Sequence, residues 1–197
     1  INVSINMSDL TRIKFNWNGT NYSLYDDSLV LMMNFDNRSA LGENDTHVKD
    51  LSKYGNNGTV INNATWIKEG KYGGAYNFSS SLIDDDDIFV GSPQNLDNLM
   101  QISASAWIYP ISLGHYSGGR IIGKAYGNGN SLLDGWSFGF DGSGLNRIEF
   151  RVDYSGGYLI VVTTNNILPF NQWTHAAITW NGTNASNAAH VYINGVE

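Results

Sequence analysis

The feature that most constrains this chain lies near its end: Asn171-Gln-Trp-Thr-His-Ala-Ala-Ile-Thr-Trp180, an Asn-Gly turn, then His190-Val-Tyr-Ile-Asn-Gly-Val196. Two runs of β-branched and aromatic residues are punctuated by Asn181-Gly182 and Asn194-Gly195, dipeptides that accept the positive φ angles tight turns require. Between Trp173 and Trp180 both alternating faces carry apolar residues, Trp173 and Ala177 on one, Ala176, Ile178 and Trp180 on the other. Such a strand belongs in the middle of a sheet covered on both sides. The expectation is an all-β, antiparallel β-sandwich with this strand at its centre.

Strand patterning recurs along the chain. Ile13, Phe15 and Trp17 alternate with polar residues, Asn18-Gly19 turns, and Tyr22 and Leu24 alternate back, so residues 1–28 read as an N-terminal β-hairpin. It is either the end of a preceding module or a flap on the domain formed by 29–197. Leu29–Phe35 is almost wholly apolar, as a strand buried on both faces would be. Val60–Ile67, Gly74–Phe78 and Ile102–Tyr109 follow as strands, the last stopped by Pro110, and 93–101 could hold one helical turn starting at Pro93. Trp136, Phe138 and Phe140 form an aromatic inner face. In 147–154, Ile148, Phe150, Val152 and Tyr154 fall on one side and Arg147, Glu149, Arg151 and Asp153 on the other. Ser155-Gly-Gly157 then turns the chain into Tyr158–Thr164. Trp66, Trp107, Trp136, Trp173 and Trp180 all fall in strands and are expected in the core, as is His175.

Composition bounds the function. With 197 residues, 22 Gly, 13% aromatic and 15% charged residues, the chain is a turn-rich folded protein large enough to bury a sizeable core. Its formal charge of −7, with no basic stripe, argues against nucleic acid. No apolar run approaches the ~18 residues of a membrane-spanning helix. Cysteine is absent, which leaves the redox compartment open. The localisation signal is Asn-x-Ser/Thr. Eleven such triplets begin at Asn2, Asn6, Asn18, Asn21, Asn37, Asn44, Asn57, Asn63, Asn77, Asn181 and Asn184, against about four by chance, and they point to an extracellular, N-glycosylated protein.

Five pieces also carry a family resemblance. Leu29-Val-Leu-Met-Met-Asn-Phe35-Asp36, Asp50-Leu-Ser-Lys-Tyr-Gly55-Asn-Asn-Gly58-Thr, Gly70-Lys-Tyr-Gly-Gly-Ala75-Tyr-Asn-Phe78, Ser103-Ala-Ser-Ala-Trp107-Ile-Tyr-Pro110 and Trp173-Thr-His175-Ala-Ala177-Ile-Thr-Trp180 stand in the expected order. Together with Val191-Tyr-Ile-Asn-Gly195 they resemble laminin-G-like jelly rolls of the concanavalin A-like lectin and glucanase superfamily, over roughly 29–197. The resemblance implies a jelly-roll sandwich and a non-catalytic recognition or adhesion module, lectin-like, for carbohydrate or a surface protein. It places a frequent calcium site near Asp36, Asp50 and Asn56, calcium being the one cofactor it suggests. Family members continue past the Ile-Asn-Gly195 turn with further strands. A chain ending at Glu197 would leave a sheet edge open, and the alternative function is a glycosylated subunit of a cell-surface layer, sheath or filament assembled by strand addition.

The chemistry-bearing residues are few. Hydrolytic relatives carry E-x-D-x-x-E on one strand, which is missing here. Glu149 and Asp153 share a face but sit roughly 13 Å apart along a strand, too far for paired glycosidase carboxylates, and Arg151 between them should hold both ionised. Tyr54, Tyr116 and Tyr126 are loop aromatics suited to stacking on sugar rings, and Arg147 and Arg151 could bind sugar hydroxyls or carboxylates bidentately. The resemblance places an exposed polar turn at Asp84–Asp87. The four histidines have no zinc spacing.

Overall fold

The computed structural model describes residues 13–17, 19–25, 27–78, 86–97, 99–114, 118–126, 134–154 and 157–197. The chain divides into two compact units, Ile1–Asn77 with Asp87–Gly91, and Phe78–Asp86 with Ser92–Glu197. Among the described residues the regular elements are antiparallel strands and two 3-10 turns, at Ser39–Leu41 and Gln94–Leu96.

In the first unit, β1 (Ile13–Trp17) and β2 (Thr20–Tyr25) form the expected hairpin, with Gly19 at φ 79° in its turn. Five short strands follow: β3 (His47–Val48), β4 (Gly58–Ile61), β5 (Thr65–Gly70), β6 (Gly73–Asn77) and β7 (Asp87–Phe89). They pair as a β3-β4-β7 sheet and a β5-β6 ribbon. Gly58 is needed where β4 meets β7, because a β-carbon there would run into the Ile88 side chain. Asp87 opens β7, whereas Asp84 and Asp85 lie outside the described residues.

Leu29–Phe35 departs from expectation: it joins no sheet and its residues are only partly buried, with Met32 exposed. The loop at 50–57 supplies the partners that a neighbouring strand would have given. Leu51 donates its amide to the Met32 carbonyl (2.7 Å), and Met32 donates its own to Asp50 Oδ1 (2.9 Å). The Val30 carbonyl accepts from Ser52 Oγ and Asn56 Nδ2, and the Phe35 carbonyl from Trp66 Nε1. Apolar content favours burial, but a strand also needs a ladder for its backbone groups, and here side chains take that role.

The second unit is a two-layer sandwich. One layer holds β9 (Arg120–Tyr126), β10 (Asp134–Phe140), β11 (Ile148–Tyr154) and β12 (Gly157–Val162) in the order β12-β11-β10-β9. The other holds β8 (Ile102–Ile108), β13 (Thr174–Trp180) and β14 (Ala189–Ile193), with β13 in the middle. Trp136, Phe138, Ile148, Phe150 and Val152 from the first layer meet Ala176, Ile178, Trp180, Val191 and Ile193 from the second. Phe138, Ile148 and Phe150 are fully buried. The period-two reading is therefore met at Ile148, Phe150 and Val152, as is the aromatic face of β10, while the Tyr154 side chain lies outside the described residues.

β13 corrects one expectation. Thr174, Ala176, Ile178 and Trp180 are buried, but His175, Ala177 and Thr179 are only partly so. Within this unit only one face of the three-stranded sheet meets the core, so the odd positions of β13 point outward. His175 is accordingly not a core histidine. Its ring lies 5.2 Å from that of Trp107, which is 39% exposed on β8, and Trp173 packs edge-on to the exposed Tyr109.

Candidate functional site

The site lies on the outer face of the four-stranded sheet. Trp136 and Phe138 turn inward, so Gly135, Ser137 and Gly139 face out, and no side chain there is taller than serine. In register beside them, β11 places Asp153, Arg151 and Glu149 opposite Gly135, Ser137 and Gly139. On the other flank β9 places Gly123 beside Ser137 and Arg120 beside Gly139, past a bulge between Phe138 and Gly139. Between the β11 row and Arg120 on β9 lies a groove of about 390 Å³, lined by Arg120, Ser137, Gly139, Asp141, Arg147, Glu149 and Arg151 among others. Glu149 and Arg120 flank Gly139 on neighbouring strands, which sets their backbones roughly 10 Å apart.

The two arginines predicted from sequence are brought together here, each held by a carboxylate. Arg151 forks onto Asp153, Nε to Oδ2 at 2.9 Å and Nη2 to Oδ1 at 3.1 Å, and its guanidinium lies 5.3 Å from the Tyr158 ring centre. Arg147 donates Nε to Asp141 Oδ2 and Nη1 to Asn165 Oδ1. Asp141 is fixed from behind by the Ser143 amide and hydroxyl. Among the described residues, Arg120 has no ion-pair partner and Glu149 accepts no hydrogen bond.

The two groove carboxyls are shifted apart. Burial raises the Glu149 carboxyl above its ordinary range and the Asp141 charge adds to this, outweighing Arg151 and Arg147. Arg151, committed to Asp153, pulls the Glu149 carboxyl down but does not reverse the rise. For Asp141 burial acts upward too, but Ser143 and Arg147 more than reverse it and hold the carboxyl low. Opposed shifts are the mark of an acid–base pair. However, the Asp141 side chain is only 4% exposed and three donors surround it, so it is placed to steady Arg147 and not to attack a substrate. The arrangement offers hydrogen-bonding groups to a polar ligand.

The remaining sequence candidates are scattered. Asp50, 1% exposed, accepts four hydrogen bonds: Met32 N and Ser52 N at Oδ1, Ser52 Oγ and Asn56 N at Oδ2. Those donors occupy the lone pairs a cation would need, so Asp50 does not fit a calcium ligand in this arrangement. Asn56 gives its Nδ2 to Val30, and Asp36 accepts from Asn34 Nδ2 and Gly74 N. No group of three or more His, Cys, Asp or Glu is gathered for a metal among the described residues. Tyr54 donates its hydroxyl to the Asp27 carbonyl, and the Lys53 ammonium lies 5.1 Å from its ring centre. Tyr116 lies outside the described residues, and Tyr126 ends β9 with its side chain outside them.

Of the Asn-x-Ser/Thr asparagines, Asn2, Asn6 and Asn18 lie outside the described residues and Asn21 falls in β2. Asn44, Asn63, Asn77, Asn181 and Asn184 are exposed, while Asn37 and Asn57 are half-buried.

Sequence reasoning missed Arg120, Ser137 and Asp141. The signal that could have found them is the period-two run of small residues at Gly135, Ser137 and Gly139, which marks a low strand beside the charged one.

A family model described as the concanavalin A-like lectin/glucanases superfamily, of laminin-G type, matches residues 84–197. That range contains the groove and the last two motif pieces; the three earlier pieces lie before it. No curated protein and no solved structure matches the chain.

Proposed function

Because the chain belongs to the laminin-G-like part of the concanavalin A-like lectin and glucanase superfamily, we propose that it is a non-catalytic extracellular recognition module whose groove on the four-stranded sheet binds carbohydrate. The single observation that carries this reading is the groove itself, floored by Ser137 and Gly139 and walled by Arg120, Arg147, Glu149 and Arg151. Sugars present many hydroxyls at fixed spacing, and the Arg147 and Arg151 guanidinium groups, already held by Asp141 and Asp153, offer donors at reduced ordering cost. The absence of the hydrolytic carboxylate motif and the enclosed position of Asp141 support binding without turnover. The density of Asn-x-Ser/Thr triplets supports the extracellular assignment.

The test is binding of the purified chain to an array of neutral, amino- and uronic-acid-bearing oligosaccharides, with calcium present. Ser137→Trp, which raises the groove floor, should abolish any signal; Ser103→Trp, on β8 of the other layer, should not. An array blank for the unaltered protein overturns the reading, and so does a signal that survives Ser137→Trp.

A further inference from the structure

The eleven Asn-x-Ser/Thr triplets are alike in sequence but not in the use the fold makes of their amides. We infer that, among the described residues, Asn44 and Asn181 are glycan acceptors that the folded chain presents, and that Asn37 and Asn57 are withheld.

N-glycosylation joins the asparagine Nδ2 to the anomeric carbon of an oligosaccharide carried on a polyprenyl pyrophosphate. A C–N bond forms, the C–O bond to the pyrophosphate breaks, the polyprenyl pyrophosphate leaves, and the amide gives one proton to a base of the transferase. The acceptor must therefore offer an unengaged Nδ2 on an exposed turn, with the hydroxyl of the third residue close by.

Asn44 and Asn181 meet these terms. Asn44 is exposed, and its Oδ1 accepts both the amide and the hydroxyl of Thr46 at 2.9 Å. Asn181 is exposed, and its Oδ1 accepts the Thr183 amide at 3.1 Å and hydroxyl at 2.9 Å. In each the carbonyl end is fixed by the triplet's own threonine, and Nδ2 has no partner among the described residues. Asn44 closes a tight turn back to His47, and Asn181 begins the loop that joins β13 to β14.

Asn37 fails on its amide and Asn57 on its exposure. Asn37 spends Nδ2 on Asp45 Oδ1 at 2.8 Å. Asn57 is half-buried, its Oδ1 accepts the Asp50 amide at 3.0 Å, and its triplet runs directly into β4 through the buried Gly58. Drawing Asn57 into a transferase site would unpair β4 from β3 and β7. Asn63, Asn77 and Asn184 are exposed and are assigned to neither class.

The occurrence of these glycans in the cell rests on the extracellular reading above; the order of acceptors does not, and it can be measured apart from it. The unglycosylated folded protein is incubated with a single-subunit oligosaccharyltransferase and a polyprenyl-pyrophosphate-linked oligosaccharide, and glycopeptides are quantified over time by mass spectrometry. Asn44 and Asn181 should be modified at least about tenfold faster than Asn37 and Asn57, because the latter pair must wait for local opening. The same assay on a protease digest of the chain should erase that order. Modification of Asn57 in the folded protein as fast as Asn181 overturns the inference. So does a folded chain in which Asn44 and Asn181 stay bare while their peptides are modified.

Discussion

The sandwich strand β11 and the segment Leu29–Phe35 face the same difficulty, an apolar stretch whose backbone must still find hydrogen bonds, and they meet it in different ways. β11 is paired on both sides, with β10 and β12, and drives Ile148, Phe150 and Val152 into a common core. Its order comes from apolar burial shared among many residues. Leu29–Phe35 is instead tied by a loop in which one carboxylate, Asp50, accepts four hydrogen bonds. Its order is concentrated in few atoms. Distributed packing tolerates the loss of any one polar contact; a carboxylate hub does not.

That contrast can be broken in three ways. The largest effect belongs to the core: Phe150→Ala should cost about 3–5 kcal/mol in urea unfolding, since a fully buried ring is replaced by a cavity. A loss under about 1 kcal/mol would mean the layers are not packed as described.

Asp50→Ala should cost less, about 2–3 kcal/mol, and act locally. Amide exchange at Met32, Ser52 and Asn56 should accelerate while that of Ile178 stays slow. Equal acceleration at both places would erase the distinction between the two regions.

The smallest effect is in the groove. Glu149 is raised in the folded state above the ordinary 4.5, so the fold binds its proton more tightly than the unfolded chain does. Stability drawn from that proton is complete below the ordinary value and is lost as pH rises through the raised one. Glu149→Gln keeps the shape and removes the titration. Its melting temperature should gain on that of the unaltered protein as pH rises through this window, and a constant difference would show that Glu149 is solvated as in the unfolded chain.

Much of the sandwich was legible because its signals are local. The alternation of Ile148, Phe150 and Val152 with Glu149 and Arg151 fixes which side is buried, whatever the neighbours are. The turn at Gly19 and the 3-10 turn after Pro93 were legible in the same way. Leu29–Phe35 was misjudged because pairing is not a property of the segment that pairs. Trp107 and His175 were misjudged because aromatic content tells how much surface a residue can bury, not which face of a sheet has a layer over it. The site was half visible. Arg147 and Arg151 stand out as charges in a strand, whereas Arg120 becomes their companion only through the register of β9 on β10.

By itself, then, the amino-acid order determined the strand class, the turn positions and the inward faces, since each depends on neighbours within a few residues. Tertiary structure alone decided that Asp141 and Asp153 would occupy the arginines and leave Glu149 and Arg120 across Gly139. It also decided that Asp50 would organise a loop, and that Asn181 would keep its amide while Asn37 would not. The physical reason is common to all: hydrogen bonds and ion pairs act over about 3 Å, so the partner a group finds depends on which distant strand or loop is folded against it.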